Sequence, residues 1–256
     1  MINTSKREAI LDAALDLLTR GGRDAVSTRA LCSAAGVQAP TIYRLFGDKQ
    51  GVLDAVASRG LESYLADKRH MPPSGDPVED LRRGWDLHIG FGLAEPTLYS
   101  LIYGSPRPGA EPEGAKHAAE ILAGLVHRVA LAGQLRISEE RAARVIHAAG
   151  RGTTLTLIAT PDTERDMGVS RITREAVIHA ITHPAPVGDD RRPADESRTG
   201  SPRAAKDQPQ PRGADAGVGA SAVALKAALA DVKVLSPSER QLLGDWLDRI
   251  INAVPD

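Results

Sequence analysis

Gln38, Thr41, Tyr43, Arg44 and Lys49 bring an amide, a hydroxyl, a phenol, a guanidinium and an ammonium into one short stretch. Between them Ile42, Leu45 and Phe46 fall on a single helical face, so packing of that face turns the polar groups outward. A helix presenting such groups near its N-terminus can enter the major groove of DNA and meet base edges. Gln38 and Thr41 are the candidates for base contacts, with Ala39 and Pro40 offering apolar contact such as a thymine methyl would accept. Tyr43 and Lys49 suit phosphates, which position a helix without reading sequence. Arg29 suits either task, and Thr28 and Arg44 complete the nucleic-acid set.

Holding that helix requires partners. Ser5-Lys6-Arg7-Glu8 has capping-box form, which starts a first helix near Ser5, and Ile10, Ala13, Ala14, Leu17 and Leu18 recur at its inner face. Gly21-Gly22 is expected to stop it. Ser27 then caps a second helix whose Ala30, Leu31 and Ala34 point inward. Gly36-Val37 makes the turn into the third, from about Gln38 to Phe46, where Pro40 is tolerated in the first turn. Gly47-Asp48 ends it and caps a fourth, continuing through Leu53, Val56, Leu61 and Leu65 toward His70.

Beyond the break at Met71–Gly75, helices are predicted near 77–93, 96–103, 112–132, 138–159 and 163–182. Trp85, His88 and Gly92, then Tyr99 and Tyr103, then His147, Arg151 and Thr154 have the spacing of inward stripes. If the stripes converge, Trp85, His88, Tyr99, Tyr103, His147, Arg151 and Thr154 form a small-molecule site with a few polar anchors in an apolar wall. Taken singly, each also fits an ordinary core or interface position. Residues 184–220 hold six prolines, five glycines and twelve charged residues, the composition of a disordered linker. Two amphipathic segments follow over 221–256. Ser236-Pro237-Ser238-Glu239 caps the second, and Trp246 among leucines argues for burial, most simply on the body.

The chain of 256 residues has a formal net charge of −1, which excludes a uniformly basic coat for nucleic acid and leaves a local patch. Residues 1–70 carry ten Lys and Arg against eight Asp and Glu. Cys32 has no second cysteine to pair with and is expected to pack rather than react. No leader or long apolar run is visible, so a cytoplasmic protein without a membrane partner is expected. His179 and His183 are four apart, but no third ligand has suitable spacing; a cationic histidine at a helix C-terminus is the simpler account, and no metal or cofactor is expected. Neither a phosphate-binding glycine loop nor a nucleophile with its base stands out, so no catalytic residue is assigned and no enzyme is expected.

Ala30-Leu31-Cys32-Ser33-Ala34-Ala35-Gly36-Val37, then Thr41-Ile42-Tyr43-Arg44-Leu45-Phe46, Lys49 and Val52-Leu53 resemble the DNA-binding domain of the TetR family of bacterial transcriptional regulators. Trp85 to Tyr99 resembles the start of a TetR-type C-terminal domain of actinobacterial kind. Ala39-Pro40 departs from the polar or glycine pair usual in the family, and Gly51 stands where an acidic residue is common. The resemblance covers roughly residues 5–183 and implies an all-α fold with a DNA-binding domain over 1–70 and a helical ligand-binding and dimerisation domain over 76–183; the linker over 184–220 and the C-terminal helical hairpin over 221–256 lie outside it and rest on composition and spacing. It also implies a homodimeric repressor on a palindromic operator in double-stranded DNA, released by a small-molecule inducer. The rival is an interaction protein that works through its tail, with the head as tether.

Overall fold

The computed structural model describes residues 2–104, 113–183 and 214–253. Among them the chain is helical, apart from turns and one isolated antiparallel bridge, Leu135 with Thr182. The helices are α1 (Ile2–Ala25), α2 (Thr28–Ala35), α3 (Ala39–Phe46), α4 (Lys49–His70), α5 (Pro77–Ala94) and α6 (Pro96–Tyr103). There follow α7 (Glu113–Leu131), α8 (Glu139–Ala159), α9 (Gly168–Ile181), α10 (Ala214–Ala228) and α11 (Pro237–Ala253). None of them is long and apolar enough to cross a membrane.

Packing divides the chain into two units. The first comprises Met1–Leu125 and Ala143–Ile178, the second Val126–Ala142 and His179–Asp256. In the first, Ile10, Leu31, Ile42, Val52 and Leu53 are fully enclosed in a core that joins α1 to α4 and takes in Leu98 of α6. Side chains of this size each contribute roughly 1.5–3 kcal/mol when fully buried. A second cluster gathers Leu61, Tyr64 and Leu65 of α4, Phe91 of α5, and Tyr99, Ile102 and Tyr103 of α6.

Several boundaries differ from the sequence expectation. α1 is already helical at Ile2, so Ser5 does not cap it. A cap is a local preference of about 1 kcal/mol, and continued backbone hydrogen bonding outweighs it. Gly21 and Gly22 leave helical geometry inside the span Ile2–Ala25, Gly22 at φ 64°, which is where the stop was predicted. On α2 the inner face is Leu31 with partly buried Cys32 and Ala35, whereas Ala34 is exposed. The helix predicted over 163–182 is broken: a 3-10 turn at Asp162–Glu164 precedes α9, which starts only at Gly168. Arg165 causes the break, because its Nε donates back to the Leu157 carbonyl at 2.9 Å, and Asp166 Oδ1 then accepts from the Gly168 amide at 2.7 Å.

In the second unit the Arg136 amide donates to the Ile181 carbonyl at 2.8 Å and the His183 amide to the Gln134 carbonyl at 2.7 Å. Burial, with Arg136 nearby, pulls the His183 ring below its ordinary range, the direction opposite to the one a cationic histidine at a helix end needs. Of the expected linker, 184–213 lie outside the described residues, and the chain is helical from Ala214. The capping box at Ser236 forms in both directions: the Ser236 amide donates to Glu239 Oε2 at 2.8 Å, and the Glu239 amide to Ser236 Oγ at 3.3 Å. Leu247 and Ile251 of α11 are buried, but Trp246 is 51% exposed, against the expectation of burial.

At the centre of the first unit lies a run of buried polar groups. His88 of α5 has Nδ1 at 3.1 Å from the Tyr64 hydroxyl and Nε2 at 2.8 Å from the Tyr99 hydroxyl. A neutral imidazole donates through one nitrogen and accepts through the other, so it satisfies both tyrosines. Burial pulls the His88 pKa down to about 3, and the charges of Lys68 and His147 push the same way. Burial also raises both tyrosines, so neither ionises at ordinary pH.

Because the folded-state value of His88 lies below its ordinary 6.5, its stability contribution is complete above about pH 6.5 and is lost as pH falls toward 3. Each pH unit in that window should cost at most ~1.4 kcal/mol from this residue. Thermal melts between pH 7.5 and 4 check this: His88→Gln should be less stable at pH 7.5 yet show a flatter profile. A second expectation concerns Gly51, whose amide donates to the capping Asp48 Oδ1 at 2.8 Å. A Cβ at that position would stand 1.9 Å from the Phe46 carbonyl oxygen. Gly51→Ala should therefore destabilise the chain by ~1–3 kcal/mol in denaturant titrations.

Candidate functional site

The nucleic-acid candidates are organised by three caps and one turn. Ser27 Oγ accepts from the Ala30 amide at 3.1 Å and starts α2. Gly36, at φ 63° and ψ 37°, makes the left-handed turn that a side chain would strain. Gln38 then takes the N-cap position of α3 in extended conformation, and its side chain makes no capping bond. Its amide is exposed and remains available to a ligand. Asp48 caps α4 at the other end.

Ile42 is fully buried and Leu45 and Phe46 are partly buried against the first core, so the inner face of α3 is the expected one. Arg7 closes over the Phe46 ring, with its guanidinium carbon 4.9 Å from the centroid. On the outer face Tyr43 is 53% exposed, and Gln38, Pro40, Arg44 and Arg29 are exposed as well. Thr28, Ala39, Thr41 and Lys49 are half-buried. Between Asp24 and Asp48 the sequence contains no acidic residue, while Arg29 and Arg44 lie within that span. The segment therefore carries a positive local potential despite the chain's net charge of −1.

Lys49 has a further partner. Its Nζ donates to the Arg23 carbonyl at 3.3 Å, which ties the first turn of α4 to the end of α1. Arg23 also donates to Gln50, whose amide donates to Asp54 Oδ1 at 2.8 Å. An ammonium has three protons, so this bond leaves Lys49 capable of a phosphate contact while fixing where it would be made.

The inward stripes do converge, in part. Trp85 and His88 of α5, Tyr103 of α6, and His147 with Gly150 of α8 line one cavity of about 40 Å³. The Tyr103 and His147 rings meet edge-on at 5.7 Å. Trp85 Nε1 donates to Ser170 Oγ of α9 at 3.0 Å, so its polar end is satisfied and its ring is free to form wall. Tyr99 and Thr154 lie beside the lining: Tyr99 bonds His88, and Thr154 Oγ1 donates to the Gly150 carbonyl at 2.7 Å. Arg151 is half-buried and does not line the cavity.

Sequence reasoning missed the rest of the wall: Leu81, Gly84, Ala118, Ala119, Leu122, Leu125, Ile146 and, above all, Lys68. Lys68 follows Leu61 by seven residues and Leu65 by three, so it continues the inner stripe of α4. Its spacing was the available signal. Five of the chain's aromatic residues, which total two Trp, four Tyr and two Phe, cluster in this region: Tyr64, Trp85, Phe91, Tyr99 and Tyr103. Tyr64 and Phe91 stack at 4.6 Å. Among the described residues no group of three His, Cys, Asp or Glu is placed to hold a metal ion.

Residues 10–56 match a family described as bacterial regulatory proteins, tetR family. The chain is similar to the HTH-type transcriptional regulator AlkX of Mycobacterium tuberculosis, with 31% identity over 105 residues, 40% of this chain and 49% of that protein. It is 43% identical over 51 residues to the tetracycline repressor protein class D of Escherichia coli, 20% of this chain and 23% of that one. With the HTH-type transcriptional repressor KstR of Rhodococcus jostii it shares 35% over 77 residues, 30% of this chain and 36% of the relative. The matches thus span at most about half the length of these relatives. Among solved structures, a TetR-family transcription regulator from Shewanella sp. PV-4 superposes with a TM-score of 0.57, covering 70% of this chain and 99% of that one at 20% identity. A protein of unknown function from Rhodococcus sp. RHA1 gives 0.55 over 70% and 96% at 22%. Likeness at that identity concerns the fold, and it extends past the head into the helical body. The capped helix pair, glycine turn and outward-facing α3 all lie in the segment, residues 10–56, that matches the tetR family of bacterial regulatory proteins.

Proposed function

We propose that the chain is a sequence-specific, DNA-binding transcriptional repressor of the bacterial cytoplasm, a homodimer on a palindromic operator that a small molecule releases. The observation that carries the reading is the exposed face of α3, where Gln38, Pro40 and Tyr43 stand outward in a segment free of acidic residues. Two of the relatives are repressors by name, the class D tetracycline repressor and KstR. Support for the dimer comes from exposed apolar residues on α8 and α9, Val145, Val169 and Ile172, the last 73% exposed. Apolar side chains in that number on neighbouring elements favour a second copy over water.

The ligand site in this reading is the cavity lined by Trp85, His88, Tyr103 and His147. Two helices connect it to the head. α4 begins at Lys49 beside α3 and reaches the cavity at Lys68, while α6 gives Leu98 to the head core and Tyr103 to the cavity wall. A ligand that binds one arrangement of α4 and α6 better than another shifts the spacing of the two heads, by no more than that difference in affinity.

A second reading has its own observation. Leu242, Trp246 and Ile250 form an exposed row on α11 at four-residue spacing, a face suited to another protein. Leu242→Ser with Trp246→Ser distinguishes the two. Regulation intact in that variant supports the repressor; regulation abolished while operator binding persists supports the tail.

Selection from random duplexes with the full chain at near-physiological salt should enrich a palindrome. Absence of enrichment from folded protein would overturn the repressor reading. On the selected operator, Tyr43→Phe with Lys49→Ala should weaken binding to all sequences and reduce the salt slope by about 1 for each phosphate that is no longer neutralised. Gln38→Ala should instead cost ~1–3 kcal/mol at particular base pairs. Equal weakening across all sequences for both variants would refute this division of roles.

A further inference from the structure

Lys68 is 8% exposed and turns its side chain into the cavity wall. Among the described residues its ammonium has no carboxylate, carbonyl or hydroxyl partner; it lies over the face of the Tyr64 ring, 5.0 Å from the centroid. A ring face returns only part of what an ammonium loses on leaving water. The other polar groups of the lining are His88, Tyr103 and His147, and no acidic side chain is among them. His88 cannot act as the counter-charge, being held neutral between two tyrosines. Burial lowers the Lys68 pKa only to about 8, so the group keeps its proton at neutral pH. The chain thus holds a largely buried cation at the wall of a cavity that has no acidic side chain among its described lining residues.

We propose that the cavity takes a small organic acid, its carboxylate paired with Lys68 Nζ and its apolar part against Leu81, Trp85, Leu122 and Ile146. The assignment rests on the cavity being the ligand site of the proposed repressor, and names the chemical class of that ligand. A carboxylate supplies the missing counter-charge and accepts from the ammonium in a charge-assisted hydrogen bond. A neutral alcohol of equal length fills the same space but leaves the cation uncompensated. The cavity of about 40 Å³ has room for about three waters, so a short acid replaces water and a longer one must move the wall. Lys68 and Tyr103 sit on the two helices that reach the head, so moving this wall moves the link.

The test uses the full chain with calorimetric titration of straight-chain carboxylates from butanoate to octanoate and of the primary alcohols of the same lengths. In a Trp246→Phe background, Trp85 is the sole tryptophan and its fluorescence locates binding at the cavity. Carboxylates should bind at least tenfold tighter than the matching alcohols. Lys68→Met should erase that preference while alcohol affinity stays within threefold, and Lys68→Arg should retain part of it. Without ligand, Lys68→Met should melt above the parent, because it removes a buried charge that has no counter-ion.

Equal binding of acids and alcohols, undiminished binding of acids by Lys68→Met, binding by neither series, or a lower melting temperature for Lys68→Met would each overturn the proposal. Acid binding through Lys68 with no change in operator affinity would uphold the site and refute ligand-controlled repression. The two claims therefore fail separately.

Discussion

Leu98 and Tyr99 are sequence neighbours that belong to different cores, and much of the first unit follows from that. Leu98 sits among Ile10, Leu53 and Val56 in the core of the head, whereas Tyr99 joins Tyr64, Phe91 and Tyr103 in the cluster around His88. Both are almost completely enclosed. A helix of eight residues with adjacent faces committed to two cores in this way has little freedom to slide or turn without disturbing one core or the other. α4 is bound by the same rule over a greater length, with Val52 and Val56 in the first core and Leu61 and Leu65 in the second.

This arrangement explains why the polar centre is economical. A single imidazole satisfies hydroxyls from α4 and α6 while belonging to α5, so three helices meet at one hydrogen-bonded group. Chains of this kind fix the relative positions of the elements that contribute to them, since each unsatisfied hydroxyl left inside would cost ~1–3 kcal/mol. Lys68 is the exception in the same neighbourhood: a cation that has no acidic partner among the described residues, beside groups that are otherwise matched.

Where the sequence carried strong punctuation, the elements were legible. α6 lies between Pro96 and Tyr103 as predicted, with proline opening it and Gly104 closing it. The helix pair and turn of the head were equally clear, because Ser27, Gly36 and Asp48 each perform a task that few residue types can. The break before α9 was not visible, since it depends on Arg165 reaching back to the Leu157 carbonyl, an interaction set by tertiary structure. Of the seven residues assigned to a ligand site, Trp85, His88, Tyr103 and His147 line the cavity, while Arg151 follows Gly150 on α8 but stays outside the lining. Lys68 is hard to find from sequence because a lysine on an inner stripe contradicts the expectation that charge faces water. Gly51 departs from the family's usual acidic residue, and the nearness of the Phe46 carbonyl oxygen gives that departure a steric reason in this chain.

If the chain binds DNA as proposed, the absence of acids between Asp24 and Asp48 acts before contact is made. In a chain of net charge −1, the α2–α3 segment is a local positive region, because it carries Arg29 and Arg44 and no acid. In the field of a polyanion such a molecule is turned as well as drawn in, so the productive orientation is favoured while the two bodies are still separated by solvent. Over distances beyond about 8–10 Å that torque fades at physiological ionic strength. The benefit therefore falls on the final approach, as a gain in the fraction of encounters that succeed.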